Sequence, residues 1–340
     1  MQILQNVSLA DHSTMRLGGI AAYSCEIASR AELVEALGWA SSQQLPYRVI
    51  GSGSNIIWAD EGFQGLLIIN AIKGFELYDE DEQNSYLTVG AGEPWDSVVE
   101  RSVAAGLSGI EALSLIPGTA GATPIQNVGA YGQDVSQTVA TIEAYDTSQQ
   151  AYVTIPGFDC GFGYRTSRFN TSDRGRFIIT SVTFHLVRSN PLPPYYPAVE
   201  HYLTDMHKAA NPATIREAVI SVRSSKLPDP SIIGNNGSFF ANPIISTGDY
   251  TQLEAGHGQI PHWEVSEGVK LSGAWLIEQA GFKDFHDTAT GMATWYSQPL
   301  VLVNEHAKST ADLLAFKQQI VNAVAAKFGV QLEQEPELLP

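Results

Sequence analysis

The chain has 340 residues, 44% of them hydrophobic, and carries 36 acidic against 19 basic side chains for a formal net charge of −17. That length suggests two or three domains with full cores. The acidic balance, without any basic stripe, excludes a general nucleic-acid binder, and no apolar run of roughly 18 residues exists to span a membrane.

The N-terminus, MQILQNVSLADHS, lacks the basic then apolar stretches of a secretory signal, so no signal peptide is expected. Residues around Tyr23 to Ile27 read as extended. Ser29-Arg30-Ala31-Glu32 is a capping-box pattern, and Leu33, Ala36, Leu37 and Ala40 follow at helical spacing. Tyr47–Ile50, Ile56–Trp58 and 66–69 read as strands, giving β-α-β-β within about 70 residues. Further strands are expected at 86–89, 141–145 and 177–187. Pro94 opens a helix carrying Trp95, Val98, Val99 and Val103 that closes at Gly106. The proline-rich stretch SNPLPPYYP, 189–197, reads as a boundary or an ordered loop. Asn211-Pro212 starts a helix, and others are expected at 274–279 and from Ser309 to about Lys327. Mixed elements in separate clusters indicate an α+β protein.

Five segments invite a chemical reading. GSGSN, 51–55, lacks the third glycine of a dinucleotide-fold turn and leads into a strand instead of a helix. It can form a hairpin or present backbone N–H groups to an anion. SLIPGTAGATPIQNVGAYG, 114–132, sits in a stretch without charge from Ala112 to Gln133. Its glycines and prolines exclude a stable helix, so it is either a buried structural loop or a wrap for a large planar cofactor. FDCGFGYRTSRF, 158–169, sets Arg165 and Arg168 among aromatics, where an anion could bind in an otherwise acidic chain. GNNGSFF, 234–240, brings Ser238 to the edge of two phenylalanines, either as an ordinary turn into a strand or as a hydroxyl at a site wall; Lys226 precedes it by 12 residues. The tail LEQEPE, 332–337, is acidic but follows a strong helix and an apolar Phe328-Gly329-Val330, so an ordered final strand is plausible. Two distant cysteines, Cys25 and Cys160, fit a reducing cytosol. The eight histidines lack ligand spacing, so no metal is expected.

Taken in order, GSGSN, PGTAGATPIQNVGAYG, FGYRTSRF, GNNGSFFANP, KLSGAWLIEQAGF and the LEQE tail resemble the UDP-N-acetylenolpyruvoylglucosamine reductase family over nearly the whole chain. The resemblance implies an α+β protein with a two-part FAD-binding region of the PCMH-type flavoenzyme fold and a C-terminal α+β substrate-binding domain. The implied division is 1–70 and 71–200 for FAD, 201–325 for substrate, and 326–340 as a strand returning to the active site. It implies non-covalent FAD, NADPH as reductant, a nucleotide-sugar substrate, a cytoplasmic monomer, and no nucleic-acid or membrane partner. Matched residue by residue, Ser238 falls on the proton donor, Arg165 on the catalytic arginine and Glu335 on the catalytic carboxylate. FAD contacts fall on Gly51, Ser52, Gly53, Ser54 and Asn55, on Pro117, Gly118, Thr119, Gly121 and Ala122, and on Gln126, Asn127, Gly129, Ala130 and Tyr131. Substrate contacts fall on Tyr196, Lys226, Asn242 and Gln298. PLPPYYPAV stands where one form of the family has a tyrosine-bearing loop, and Tyr196 matches better than Tyr195. The chain departs from the pattern at Pro336 and Glu337 after Glu335, and at Trp295, where a histidine is common. The rival readings are another FAD-dependent oxidoreductase of the same fold, of sugar-lactone oxidase type, and a non-catalytic nucleotide-sugar binding protein. Several of those oxidases attach flavin through a histidine, which the expected cofactor loops lack.

Overall fold

A computed structural model describes residues 1–340. The chain divides into two compact units, one of residues 1–7, 21–52 and 64–225, the other of 8–20, 53–63 and 226–340. This differs from the expected segments. Residues 201–225 group with the first unit because Val199, Leu203, Ile215, Ala218 and Val219 close a core around Ala112. Residues 8–20 and 53–63 group with the second, where Met15, Leu17 and Ile57 join its main core.

The first unit holds two large sheets and a two-stranded one, Gly129–Ala130 with Gln133–Asp134. In the four-stranded one the order is Leu4–Ser8, Ile20–Ile27, Phe63–Asn70, Tyr47–Ile50, and the last two run parallel. Helix Arg30–Ser42 packs Leu33, Ala36 and Ala40 on this sheet against Cys25, Ile27, Leu66 and Ile68. Ser29 accepts from the Glu32 N–H as its sequence implied, while the Glu32 carboxylate reaches the N–H of Ala28, one residue before the cap. The five-stranded sheet is antiparallel, in the order Ala151–Pro156, Val139–Asp146, Phe177–Val187, Asn84–Gly90, Phe75–Asp79. Helix Trp95–Ala104 buries Trp95, Val98 and Val99 in this sheet's core, at the apolar spacing its sequence shows.

The second unit centres on a four-stranded sheet, Gly234–Ser238, Gln298–Asn304, Met292–Trp295, His286–Asp287. Its core takes Phe239 and Phe240, both fully buried and packed edge to face with centroids 5.2 Å apart, together with Leu313, Phe316, Ile320 and Val324 of helix Thr310–Phe328. Ile56–Trp58 does not form a hairpin with Tyr47–Ile50; it pairs in parallel with the tail strand Glu337–Leu339. The acidic tail is therefore ordered.

Helix Thr310–Phe328 has a complete capping box at Ser309 and Asp312, and Asp60 adds a second clamp. The Asp60 carboxylate accepts from the N–H of Thr310 (2.7 Å) and of Ala311 (2.9 Å), two of the donors a helix start leaves unpaired. Asp60→Ala should lower the stability of the second unit by about 1 kcal/mol, read as a shift of its urea midpoint. An unmoved midpoint would show that Ser309 alone suffices.

Candidate functional site

In the first unit the two glycine segments meet. A Cβ added at Gly51 would lie 2.2 Å from Thr119 Oγ1, so only a glycine lets the Thr119 side chain pack this closely. Around it the loop is closed on itself. The N–H groups of Ala120 and Gly121 donate to the carbonyls of Glu93 and Ala91, and those of Ala122 and Thr123 to Thr119 and Ala120. Three non-glycine residues of this region, Leu115, Asn127 and Tyr131, hold left-handed backbone at φ 58°, 46° and 51°. Such conformations persist only where surrounding bonds impose them.

Those bonds can be named. Asp96, at the start of helix Trp95–Ala104, accepts from the Leu115 N–H at 2.5 Å and grips Arg216 through both oxygens, at 2.6 and 3.0 Å. Asn127 donates to Gly163 O (3.0 Å) and accepts from the Ser136 N–H (3.1 Å), so its side chain is spent on holding protein segments together. Tyr131 stands edge to face with Tyr196, at 5.2 Å and 83°. The Tyr195 hydroxyl donates to Pro191 O within its own loop, which leaves Tyr196, 38% exposed, as the tyrosine that loop presents. A cavity of about 270 Å³ opens beside Tyr131 and Tyr196, below the roughly 300–1,000 Å³ of whole ligand sites.

Of the two arginines in 158–169, Arg168 is committed to Asp173 at 2.7 Å. Arg165 is half-buried, at φ 56°, with Nη2 donating to Gly129 O at 2.9 Å.

In the second unit Ser238 lies just past a bulge. Asn235 pairs with Val303 and Ser238 with Val301, so three steps on one strand face two on the other. Asn236 and Gly237 supply the extra residue, with Gly237 at φ 71° and open space where its Cβ would be. The Asn235 side chain accepts from the Gly237 N–H at 2.9 Å and locks the turn. Immediately beyond Ser238 the tail joins: the Glu335 N–H donates to Phe239 O (2.9 Å) and the Ala241 N–H to Glu333 O (3.0 Å). Glu335 is half-buried there and Glu333 exposed. The Asn242 side chain accepts from the Gly273 N–H at the start of helix Gly273–Gln279. Lys226 is exposed, and its carbonyl accepts from the Ser297 hydroxyl at 2.7 Å, which draws it to the residue beside Gln298. The Gln298 side-chain oxygen is buried without a hydrogen-bond partner. Sequence reasoning missed Asp96, Asn170, Asn235 and Asn236; only the paired asparagines before a glycine carried a local signal, that of a turn.

An FAD binding domain family matches residues 21–148, and the C-terminal domain of UDP-N-acetylenolpyruvoylglucosamine reductase matches residues 229–339. The UDP-N-acetylenolpyruvoylglucosamine reductase of Thermobifida fusca is 40% identical over 350 residues, 98% of this chain and 97% of that protein. The one from Cupriavidus pinatubonensis is 39% identical over 333 residues, 97% of each. The chain belongs to the UDP-N-acetylenolpyruvoylglucosamine reductase family. The crystal structure of the family's reductase from Thermus caldophilus shares the fold, with a TM-score of 0.68 at 24% identity across 100% of both chains. The expected α+β architecture, an FAD-binding region followed by the family's C-terminal domain, holds, and the protein is an FAD-dependent oxidoreductase. The uncharged run from Ala112 to Gln133, packed against Gly51 at Thr119, fits that cofactor by composition, since it offers neutral polar groups and no charge to desolvate. No helix is long and apolar enough to cross a membrane.

Burial opposes the charge on Asp96, but Arg216 and the Leu115 N–H outweigh it and hold the carboxyl below its ordinary value of 3.8. A lowered native pKa contributes stability above the unfolded value and loses it as pH falls through the native one. Asp96→Asn should therefore cost about 1–2 kcal/mol at neutral pH. The melting-temperature gap to the parent should close as pH falls below 3.8. A gap independent of pH would contradict the pairing.

Proposed function

We propose that this protein uses NADPH to reduce UDP-N-acetylglucosamine enolpyruvate to UDP-N-acetylmuramate in peptidoglycan synthesis, with Ser238, Arg165 and Glu335 as its catalytic residues. The observation that carries this reading is the pairing of the tail with residues 239–241, which fixes Glu335 beside the residue that follows Ser238. Pro336 and Glu337 do not disturb this register: Pro336 is buried and the Glu337 N–H donates to Asn55 O. The family match along 97% of the chain gives the reaction its class.

FAD, held by residues 51–55 and 117–131, would supply the hydride that the substrate's enol-ether double bond takes up. The residues of this chain then have separate tasks. The guanidinium of Arg165 is a fixed cation for the charge that develops beside the substrate carboxylate. Glu335, in its protonated form, donates a hydrogen bond to the same carboxylate. The Ser238 hydroxyl delivers the last proton to carbon. A serine is a weak acid, and it serves here because the enolic species it protonates is a strong base. The bulge at Asn236–Gly237 aims the hydroxyl, and the open space at Gly237 leaves room for a reactant. Phe239 and Phe240 anchor the strand in the core. Lys226, Asn242 and Gln298 are assigned to the nucleotide-sugar substrate, and Tyr196 to a tyrosine-loop closure over it. For FAD we assign Gly51 to Asn55 to the pyrophosphate and residues 117–131 to the remainder.

Ser238→Ala should leave NADPH-dependent bleaching of the flavin at the parental rate. Reoxidation by the enolpyruvyl substrate should slow by roughly 10²–10⁴-fold, the usual worth of a general acid. Stopped-flow absorbance separates the two half-reactions, and parental rates in both would end the assignment.

A further inference from the structure

We propose that Asn170 is a positioning residue for Arg165, holding its backbone in the one conformation that aims the guanidinium. This inference rests on the catalytic reading of Arg165 given above.

Arg165 sits at the tip of a tight turn that Gly163 and Thr166 close reciprocally, N–H to carbonyl at 3.0 and 3.3 Å. Its φ of 56° is left-handed, a region that an arginine left to itself abandons. The Asn170 amide grips the far side of this turn with both ends. Its Nδ2 donates to Arg165 O at 3.2 Å, and its Oδ1 accepts from the Ser167 N–H at 2.9 Å. One contact fixes the Arg165–Thr166 peptide plane and the other the peptide that follows. Together they set ψ at Arg165 and hence the direction of its Cα–Cβ bond. A primary amide carries a donor and an acceptor on one rigid plane, which serine, alanine or aspartate does not.

The turn is also docked from below. Asn127 donates to Gly163 O, and the Ser167 hydroxyl donates to Ile125 O at 2.6 Å. These bonds place the turn as a body; the Thr166 N–H holds the Arg165–Thr166 peptide from one side and Asn170 holds its carbonyl from the other. The guanidinium bond to Gly129 O depends on that setting.

The test uses the FAD-loaded enzyme with Asn170→Ala and Asn170→Asp, the latter keeping the acceptor and losing the donor. NADPH-dependent flavin reduction and flavin content should stay parental in both. Reoxidation by the enolpyruvyl substrate should fall about 10- to 100-fold, the scale of a small misplacement of a catalytic group. In an Arg165→Ala background the same substitutions should cost less than about twofold, since a residue acting through Arg165 has nothing left to position. Parental reoxidation in the single variants, or an undiminished loss in the Arg165→Ala background, would overturn the proposal. If Arg165→Ala itself reoxidises at the parental rate, the catalytic reading of Arg165 fails, and the role of Asn170 with it.

Discussion

One buried amide touches all three stretches that make up the second unit. That unit is assembled from three separated stretches of chain, 8–20, 53–63 and 226–340. The Asn236 Nδ2 group lies within hydrogen-bond distance of an acceptor in each of the other two: Thr14 Oγ1 at 3.1 Å, and the carbonyls of Ser54 and Ile56 at 3.2 Å. The N–H of its neighbour Asn235 adds a bond to Thr14 O. Buried backbone carbonyls must be paired, and a strand cannot pair them while it bulges. The side chain of the bulged residue does so instead. The same device that satisfies the 54–56 segment therefore bends the strand that carries Ser238, so joining the segments and presenting the hydroxyl are one structural event.

The charge distribution follows a related economy. The chain is strongly acidic, yet helix Pro212–Lys226 carries Arg216 and Arg223 and ends on Lys226. Arg216 is neutralised by Asp96, which also sets the left-handed turn at Leu115 within the uncharged loop. Burial pushes the Arg223 guanidinium down, against the opposing influence of Tyr131 and Asp96. A protein with few cations commits one to architecture and keeps Lys226 exposed at the helix end. The uncharged run from Ala112 to Gln133 makes sense beside this, because a charge there would have to be desolvated or paired.

Much of this was legible in the chain itself. Helices 30–42, 95–104 and 310–328 announced themselves through caps and apolar spacing, and the strand 177–187 through its length of alternating residues. The candidate segments stand out by composition: a loop without charge, a serine between glycine and phenylalanine, an acidic tail after an apolar turn. What local pattern could not supply was partnership. Nothing near Ile56–Trp58 says that its neighbour lies some 280 residues away at Glu337–Leu339, so the turn before it reads equally as a hairpin or as an anion-binding turn. The grouping of 8–20 and 53–63 with the C-terminal half was hidden for the same reason. Asp96 and Asn170 look like ordinary surface residues in sequence, because their worth lies in which carbonyl or N–H they meet. Asn127 shows the converse: a residue assigned to a ligand by its place in a motif, whose side chain is engaged by Gly163 and Ser136.

The most direct test of the account is anaerobic absorbance of the purified, FAD-loaded protein. NADPH is added first, and UDP-N-acetylglucosamine enolpyruvate after the flavin band has bleached. The account predicts bleaching that persists until the enolpyruvyl substrate arrives, followed by full recovery of the band and formation of UDP-N-acetylmuramate. Bleaching with no recovery on that substrate would mean a flavoenzyme with a different acceptor, and would contradict the roles given to Ser238, Arg165 and Glu335.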